Sequence, residues 1–480
     1  MTGEPSRSAL PFWFLTASAF LIPVLPRMVS HGLFMDGLWY AVIARNLALG
    51  VGSFWRPMFT PAITPAYFAD HPPLVFAIEA LFYRVLGDHW WVAKVYSMAI
   101  ALLTMGLIQL LWRDAERRAG AARAPGFAAG WLPLLFWVAT PVVTWSFSNN
   151  MLENTMGAFI LLASWAFLRA GDSRRWTAWS ALAGAALFAG VLCKGVVALF
   201  PLAFPAILVL TLRKPSPWRA LAQTLLALAV LAGLAGLVLA SADARAYATR
   251  YFEGNFVPLV SGSRGGVANR LHIVGKLFLE LLPSLVLAGL IWLGTRGRGS
   301  AREAGRVRAA AAFVGLGLAG SLPLVASPIQ SGFYLLPSFA AFAVGFAIFL
   351  RPGAEAILAR LADHDRWRAW TTAVTLALLV GTLAFSITRI GTIGRDEPMI
   401  ADVRAIGTIV PRGATVAACP AMLRDWGLHG YLALYDHVTM DAGSTDHEFA
   451  VVREGACAPP PGSVRTGLPT TFIHLYRAGR

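Results

Sequence analysis

Eleven apolar runs, each close to 20 residues long, limit what this chain can fold into. They lie at about 10–29, 91–112, 127–146, 152–169, 176–193, 195–212, 219–240, 273–294, 308–326, 333–350 and 369–390. A helix needs roughly 20 apolar residues to cross a bilayer. Charged residues make up only 14% of the chain, against about 25% in soluble domains. The sequence therefore predicts a polytopic α-helical membrane protein with about 11 transmembrane helices.

Arginine-rich segments separate alternate apolar runs and give the chain an orientation. The basic residues cluster at about 113–123, 169–175, 213–219, 296–308 and 351–368. The short loops on the opposite side, near 147–151 and 326–332, contain no Lys or Arg. An excess of Lys and Arg is typical of cytoplasmic loops, so the N-terminus is expected in the cytoplasm and the C-terminal tail outside. This topology also accounts for the net charge of +15, and no nucleic-acid-binding motif is present.

Two short amphipathic stretches, 36–50 and 72–87, fall between the first two spans. Counting 72–87 as a span would move every arginine-rich loop to the outside. We therefore predict that both form interfacial helices in the first outer loop, about 30–90. A second outer loop, about 241–272, is polar and glycine-rich.

The last 90 residues have the composition of a soluble domain. The runs TVAACP, YLALYDHVTM, FAVVRE and TFIHLYRA favour strands, and ADVRAIGTIV and AMLRDWGL favour helices. We predict a transmembrane domain over 1–390 and a small extracytoplasmic α/β domain over 391–480. Cys419 and Cys457 lie in this domain, either paired as a disulfide or as two free thiols.

Asp36, in FMDGLWY, is the first acidic residue after the first span. At the start of a helix it would accept backbone N–H groups and complement the helix dipole. The other interpretation is chemical, because ionisable residues near membrane depth are costly and usually functional.

Further polar residues map to the same outer side and suggest an active site open to a lipid substrate. Asp70 and His71 precede two prolines, which hold the backbone extended; they are either a helix cap and an interfacial His or a phosphate or metal contact. Lys194 is either a snorkelling lysine or a phosphate-binding cation. The remaining candidates on that side are Arg45, Arg56, Glu153 and Gln330.

The order of these motifs resembles the GT-C superfamily of membrane glycosyltransferases. It comprises an Asp after the first span, YFADHPPL, an acid at the start of a later span, a KG pair and YLLP. The similar branch is the protein O-mannosyltransferase-like family (glycosyltransferase family 39-like), which includes bacterial aminoarabinose transferases acting on lipid A. The resemblance covers about 25–350.

This resemblance implies an inverting transfer of a sugar from a polyprenyl-phosphate donor to a lipid or glycan acceptor, or to protein, outside a bacterial inner membrane. Asp36 is then the catalytic acid or base, and Asp70 is a metal ligand if a divalent ion is used. The donor phosphate would contact His71, Lys194, Arg45 and Arg56. Supporting roles fall to Tyr67, Glu153, Gln330, Tyr334, Glu253, Asn255 and Arg264.

Four positions depart from the family pattern. His71 replaces the usual Lys, so its charge depends on pH. Gly37 follows Asp36 where many members have an acid, Gln330 stands where Lys is common, and Glu153 stands where Asp is common. These departures affect the choice of sugar, acceptor and metal more than the general plan.

Two other classes of function fit the same sequence. A transporter or flippase of a lipid-linked saccharide would move its substrate without transferring the sugar. An assembly protein that binds a partner through its outer domain would tolerate substitution of the polar residues. The one-sided distribution of those residues and the absence of an evident internal repeat favour the enzyme over an inverted-repeat transporter.

Overall fold

The computed structural model describes residues 4–60, 67–119, 129–260, 266–267, 269–295, 304–444 and 446–479. The helices are α1 Glu4–Met28, α2 Met35–Ala48, α3 Leu74–Leu86, α4 Val92–Arg118, α5 Trp131–Val138, α6 Pro141–Ser148, α7 Leu152–Asp172, α8 Trp176–Lys194, α9 Phe204–Leu212, α10 Pro217–Leu239, α11 Ala242–Tyr251, α12 Val257–Val260, α13 His272–Gly294, α14 Ala304–Ser321, α15 Leu336–Ala362, α16 Asp365–Thr388, α17 Glu397–Gly407, α18 Pro420–Leu423 and α19 Trp426–Asp436. The strands are β1 Gly52–Ser53, β2 Arg56–Pro57, β3 Thr415–Ala417, β4 Thr439–Asp441, β5 Phe449–Arg453, β6 Ser463–Arg465 and β7 Ile473–Ala478.

The chain forms two compact units. The helical unit comprises Met1–Leu25, Met98–Phe147 and Leu152–Ser386. The sheet unit comprises Pro26–Ser97, Ser148–Met151 and Ile387–Arg480. The predicted division of the chain at residue 390 stays a prediction.

Each predicted span is helical over much of its described length. Within the described ranges, eight helices are long and apolar enough to cross a membrane, or nine if the bent pair α5–α6 is one span. The predicted span at 152–169 is α7, which carries polar residues at both ends, and the one at 195–212 is a 3₁₀ turn followed by the short α9. The predicted class, a polytopic helical membrane protein with a small C-terminal sheet region, is confirmed; the count of eleven stays a prediction.

Burial distinguishes central from peripheral helices in the helical unit. In the segment Gly332–Ala362, 78% of the most apolar stretch is buried, whereas only 11% of the corresponding stretch is buried in α10 and in α16. Large apolar side chains such as Leu237 and Phe385 are exposed on the peripheral helices. A helix with an apolar exposed face suits a lipid environment, so these helices are the ones that would face the membrane.

The arginine-rich segments come together in the helical unit. Glu116 of α4 is fully buried and pairs with Arg306 at 3.2 Å and Arg351 at 2.8 Å. Arg118 pairs with Asp172 at 2.8 Å, which joins the end of α4 to the end of α7. These ion pairs agree with the prediction that the arginine-rich loops share one side of the membrane.

Between α5 and α6 the chain bends by 79°, and a side chain stabilises the break. Glu280 of α13 accepts a hydrogen bond from the Val142 N–H at 2.8 Å. The first N–H groups of a helix have no partner within it, and hydrocarbon supplies none. Glu280 therefore provides an acceptor that the broken span needs.

The sheet unit contains a five-stranded mixed sheet in the order β4-β3-β5-β7-β6. β3 is parallel to both neighbours, whereas β5, β7 and β6 pair antiparallel. The strands predicted in TVAACP, FAVVRE and TFIHLYRA are found. The strand expected over YLALYDHVTM is wrong in its first part, because Tyr431–Asp436 belongs to α19 and only Thr439–Asp441 is extended.

Two contacts hold the sheet region together. Asp402 of α17 is buried, and its carboxylate accepts N–H bonds from Thr471, Phe472 and Ile473 at 2.8 to 2.9 Å, which fixes the start of β7. Cys419 and Cys457 form a disulfide, so the paired alternative is the one the structure adopts. Disulfides persist in oxidising compartments, as expected for an extracytoplasmic domain.

The two predicted interfacial helices, α2 and α3, belong to the sheet unit. They pack against each other, and α2 also packs against α19. Gly430 permits this approach, because a Cβ there would lie 2.5 Å from Leu38 Cδ2. Trp39 stacks on Phe59 with ring centroids 3.6 Å apart and donates from Nε1 to the Trp426 carbonyl at 2.9 Å. Helix formation is thus confirmed, and the interfacial position stays a prediction.

His429 lies in the core that these contacts create. It is fully buried, with its ring 5.0 Å from that of Phe59 and Nε2 3.2 Å from Thr60 Oγ1. Met440 N–H donates to the same nitrogen at 3.4 Å, which requires a neutral ring. Burial lowers the pKa of His429 to about 4.

The lowered pKa of His429 predicts that the sheet unit is less stable at acidic pH. Because the folded pKa of about 4 is below the unfolded value, the stabilisation is present above about pH 6.5 and is lost as pH falls toward 4. Lowering pH from 7 to 5 should cost about 2 kcal/mol from this group. We expect His429→Gln to lower stability at pH 7 but to flatten its dependence on pH, as measured by thermal unfolding.

The matched control is His364→Gln, which removes an exposed histidine of the helical unit. It should leave the pH dependence of the wild type intact. An unchanged slope in His429→Gln would contradict the assignment.

Candidate active site

The first turn of α2 carries Asp36. Phe34 occupies the N-cap position and makes no side-chain cap bond, and its N–H donates to Asn149 Oδ1 at 2.9 Å. Asp36 lies two residues further on and is half-buried. Its carboxylate is near the positive end of the helix dipole. The cap position is therefore filled by another residue, while the dipole still acts on Asp36.

Position 37, directly after Asp36, is occupied by glycine and leaves no space for a side chain. A Cβ at this position would lie 1.8 Å from the Asn149 carbonyl oxygen and 3.3 Å from that of Asn150. Any side chain would thus displace the 148–151 segment from the start of α2. Position 37, where the chain departs from the family pattern, therefore has no room for a side chain in this structure.

Asn150 connects the same segment to α3. It has a positive φ of 55°, and its Nδ2 donates to both carboxylate oxygens of Glu79 at 3.1 Å. Glu79 is fully buried, and burial raises its pKa to about 8, although the hydrogen bonds from Asn150 act in the opposite direction. Asn149, Asn150 and Glu79 thus support the first turn of α2.

Sequence reasoning missed the role of these three residues. The available signal was the adjacent pair of asparagines in NNMLEN, between two apolar runs. An Asn in the left-handed region is uncommon enough to mark a position that needs it.

Asp70 and His71 lie in the corner that precedes α3. Pro73 occupies the N-cap position, so the prolines end just before the helix, as predicted. The His71 ring is 5.8 Å from the ring of Tyr40 and 6.3 Å from that of Phe68. His71 is half-buried and Asp70 is exposed. An aromatic wall therefore holds the imidazole while the neighbouring carboxylate reaches solvent.

Arg45 and Arg56 differ in their surroundings. Arg45 is 2% exposed, and its Nη1 donates to the carbonyls of Ala433 at 2.5 Å and Leu434 at 3.1 Å, in the last turn of α19. Nη2 donates to Asn46 Oδ1 at 2.7 Å. This geometry favours a structural role over the phosphate contact that the sequence suggested. Arg56 in β2 is exposed and keeps its candidacy.

In the helical unit, Lys194 meets Glu153. Lys194 is the last residue of α8, and Glu153 lies in the first turn of α7. The two side chains form an ion pair with Glu153 fully buried and Lys194 10% exposed. The ammonium also lies 4.9 Å from the ring centroid of Tyr334 and 5.3 Å from that of Phe333. Three predicted site residues are thus brought together, and Phe333 is added to them.

Gly195, in the KG pair, has a φ of 86°, and a Cβ there would lie 2.4 Å from Tyr251 Oη. Tyr251, the last residue of α11, therefore packs against the end of α8. The candidates Glu253 and Asn255 follow in a π-helical turn; Glu253 is exposed, and Asn255 donates to the Tyr251 carbonyl at 3.2 Å. Arg264 lies outside the described residues.

Gln330 ties together the backbone next to this cluster. Its Oε1 accepts from Ile273 N–H at 2.9 Å, and its Nε2 donates to the carbonyls of Arg270 at 2.8 Å and Ser327 at 3.2 Å. Lysine has no acceptor and could not replace the first of these bonds. The change from the more common Lys therefore suits a structural function.

The family resemblance makes Asp70 a metal ligand if a divalent ion is used. In the described part of the chain, no group of three or more His, Cys, Asp or Glu side chains is arranged to hold a metal ion. Asp70 and His71 alone make an incomplete donor set. We therefore derive no step through a metal. Tyr67, which precedes the corner, is half-buried.

Comparisons with known proteins give the class of fold. Residues 70–238 match the sequence family Dolichyl-phosphate-mannose-protein mannosyltransferase. Together with the fold, this match confirms the predicted resemblance to membrane glycosyltransferases of the GT-C superfamily. No curated protein matches the chain.

The fold is similar to that of ArnT. The crystal structure of ArnT from Cupriavidus metallidurans bound to undecaprenyl phosphate has a TM-score of 0.65 and 15% identity, over 97% of this chain and 98% of that one. The apo structure of the same protein has a TM-score of 0.64 and 15% identity, over 98% of each chain. The shared architecture therefore spans nearly the whole chain.

The tight contact at Gly37 leads to a prediction. Gly37→Ala should destabilise the sheet unit by about 1–3 kcal/mol or more, because the added methyl group has to displace backbone. Thermal unfolding of the purified protein measures the change. Gly106→Ala is the control, since Gly106 also lies in a helix and a Cβ there meets nothing within 4 Å. Equal stability of the two variants would contradict the account.

Proposed function

We propose that the chain is a glycosyltransferase that moves a sugar from a polyprenyl-phosphate donor to an acceptor outside the membrane. The observation that carries this proposal is the cluster of Lys194, Glu153, Phe333 and Tyr334. Residues from three distant parts of the sequence meet there, and they include the lysine and tyrosine to which the family resemblance gives a role. Undecaprenyl phosphate bound to ArnT, which has the same fold, supports the choice of donor.

The chemistry is a displacement at the anomeric carbon. An acceptor hydroxyl attacks that carbon and loses its proton to Asp36, while the bond from the carbon to the phosphate oxygen breaks. The electron pair leaves with the polyprenyl phosphate, and the configuration is inverted. A positioned general base typically contributes about 10²–10⁴ in rate.

Cations stabilise the negative charge that grows on the leaving phosphate. We assign this role to Lys194, with His71 and Arg56 as further candidates. Glu153 holds the Lys194 ammonium in place, and the two aromatic rings limit its hydration. We place the reaction on the extracytoplasmic side, because the arginine-rich loops favour that orientation and the disulfide supports it. The acceptor is then a component of the cell envelope, either lipopolysaccharide, another glycan or protein.

A flippase for a lipid-linked saccharide is the second candidate. The break between α5 and α6, stabilised by Glu280, favours it, because transporters commonly use broken helices. The two functions differ in the fate of the donor, which a transferase cleaves and a flippase leaves intact.

The role of Asp36 gives the next prediction. With undecaprenyl-phospho-hexose and -pentose as probes, release of undecaprenyl phosphate by the purified protein is followed by mass spectrometry. Asp36→Asn should lower this rate by about 10²–10⁴ without loss of folding. Asp446→Asn, an exposed acid of the same unit, is the control and should retain the rate. A fully active Asp36→Asn would refute the assignment of the base.

A double variant separates the proposed chemical role of Lys194 from its structural role as the partner of Glu153. Lys194→Gln alone removes the ammonium that pairs with the buried Glu153 carboxylate, which should destabilise the protein by about 3–5 kcal/mol. Glu153→Gln with Lys194→Gln removes both charges, so we expect stability to recover while the rate of donor cleavage stays about 10²–10³ lower. A double variant with wild-type turnover would show that Lys194 only neutralises Glu153.

A further inference from the structure

A basic cavity lies in the helical unit, away from the Lys194 cluster. Its volume is about 680 Å³, within the usual range for small-ligand sites. It forms where α4, α7 and α9 end and α14 begins. Five basic side chains line it, namely Arg117, Arg118, Arg169, Lys214 and Arg308, together with the two acids Asp114 and Asp172.

Both acids are already paired within the protein. Asp114 binds Arg117 at 2.9 Å and Arg169 at 3.4 Å, and Asp172 binds Arg118 at 2.8 Å. Trp165 Nε1 also donates to Asp114 at 2.8 Å. The acids thus hold three arginines in place without neutralising the cavity.

Lys214 and Arg308 supply positive charge that these pairs do not cancel. Neither makes a side-chain hydrogen bond or ion pair with any residue in the described part of the chain. Among the described residues that line the cavity, five basic and two acidic side chains leave an excess of three positive charges. Like charges gathered around a cavity repel one another unless an anion enters, so the arrangement favours a multiply charged anion.

The position of the cavity narrows the class of anion. It lies at the ends of helices that cross the membrane or run beside such helices, which is the depth of lipid headgroups. Leu168 and Leu212 give it an apolar edge next to the cations. Arginine and lysine together suit phosphate oxygens, and basic pockets between spans on the cytoplasmic side bind headgroups with several phosphates.

We propose that the basic cavity binds the phosphate headgroup of an anionic phospholipid, with two phosphates matched to three excess charges. Lys214 and Arg308 contact the phosphates directly, and the paired arginines form the wall. The site is independent of the proposed sugar transfer and would anchor the arginine-rich end of the helical unit in its leaflet.

The test uses the full-length protein in detergent and native mass spectrometry. Cardiolipin should bind more tightly than phosphatidylcholine, and Lys214→Ala with Arg308→Ala should weaken cardiolipin binding roughly ten- to thirty-fold. The control is Arg113→Ala with Arg366→Ala, which removes two exposed arginines from the same arginine-rich segments that do not line the cavity. This control should retain wild-type binding.

Three results would overturn the proposal. They are equal binding of cardiolipin and phosphatidylcholine, an undiminished affinity in the cavity variant, or an equal loss in the control variant. Displacement of cardiolipin by millimolar inorganic phosphate would assign the site to a free anion and would likewise overturn the lipid proposal. If the double variant does not fold, Lys214→Gln alone should weaken binding several-fold, and unchanged binding would count against the site.

Discussion

Hydrocarbon supplies no hydrogen bonds, so each polar group in a membrane-spanning segment of this chain needs a partner within the protein. Glu280 meets this requirement at the broken span by accepting the Val142 N–H. Buried acids near the helix ends also have partners, since Glu116 pairs with two arginines and Glu153 pairs with Lys194. These charged side chains therefore lie where two helices or helix segments contact each other.

The same constraint gives the Lys194 cluster its chemical value. A lysine held between a carboxylate and two aromatic rings is fixed in position, which is what the proposed stabilisation of a departing phosphate requires. The proposed base depends on a different kind of constraint. Asp36 is placed by α2, whose first turn is held by Asn149 and has no room for a side chain at Gly37.

Much of this structure could be predicted from the sequence, because apolar length and loop charge act locally. The spans, the two short helices of the first outer loop and three of the strands follow from such patterns. The run YLALYD did not, since Tyr431–Leu434 is buried and a short apolar run cannot distinguish a buried helix from a strand. The length of the 195–212 run predicts one span, whereas Pro201 and Pro205 lie where the chain forms a 3₁₀ turn followed by α9.

Contacts between distant residues could not be predicted. The sequence suggests Arg45 as a phosphate contact because it does not show that the Arg45 guanidinium binds carbonyls of α19, almost 390 residues later. Asn149 lies 115 residues from Phe34, and no local pattern indicates that its backbone approaches Gly37. The sequence therefore identified candidate residues, and the packing separates those that support the fold from those still available for chemistry.

Whether the protein cleaves the donor is measured most directly from the lipid products. Proteoliposomes containing the wild-type protein and radiolabelled undecaprenyl-phospho-sugar are analysed for intact donor and for free undecaprenyl phosphate. A glycosyltransferase would pass the sugar to water or to an added acceptor hydroxyl, and the amount of undecaprenyl phosphate released would increase with the amount of protein. Donor that stays intact while it moves from one leaflet to the other would contradict the account and would identify a flippase.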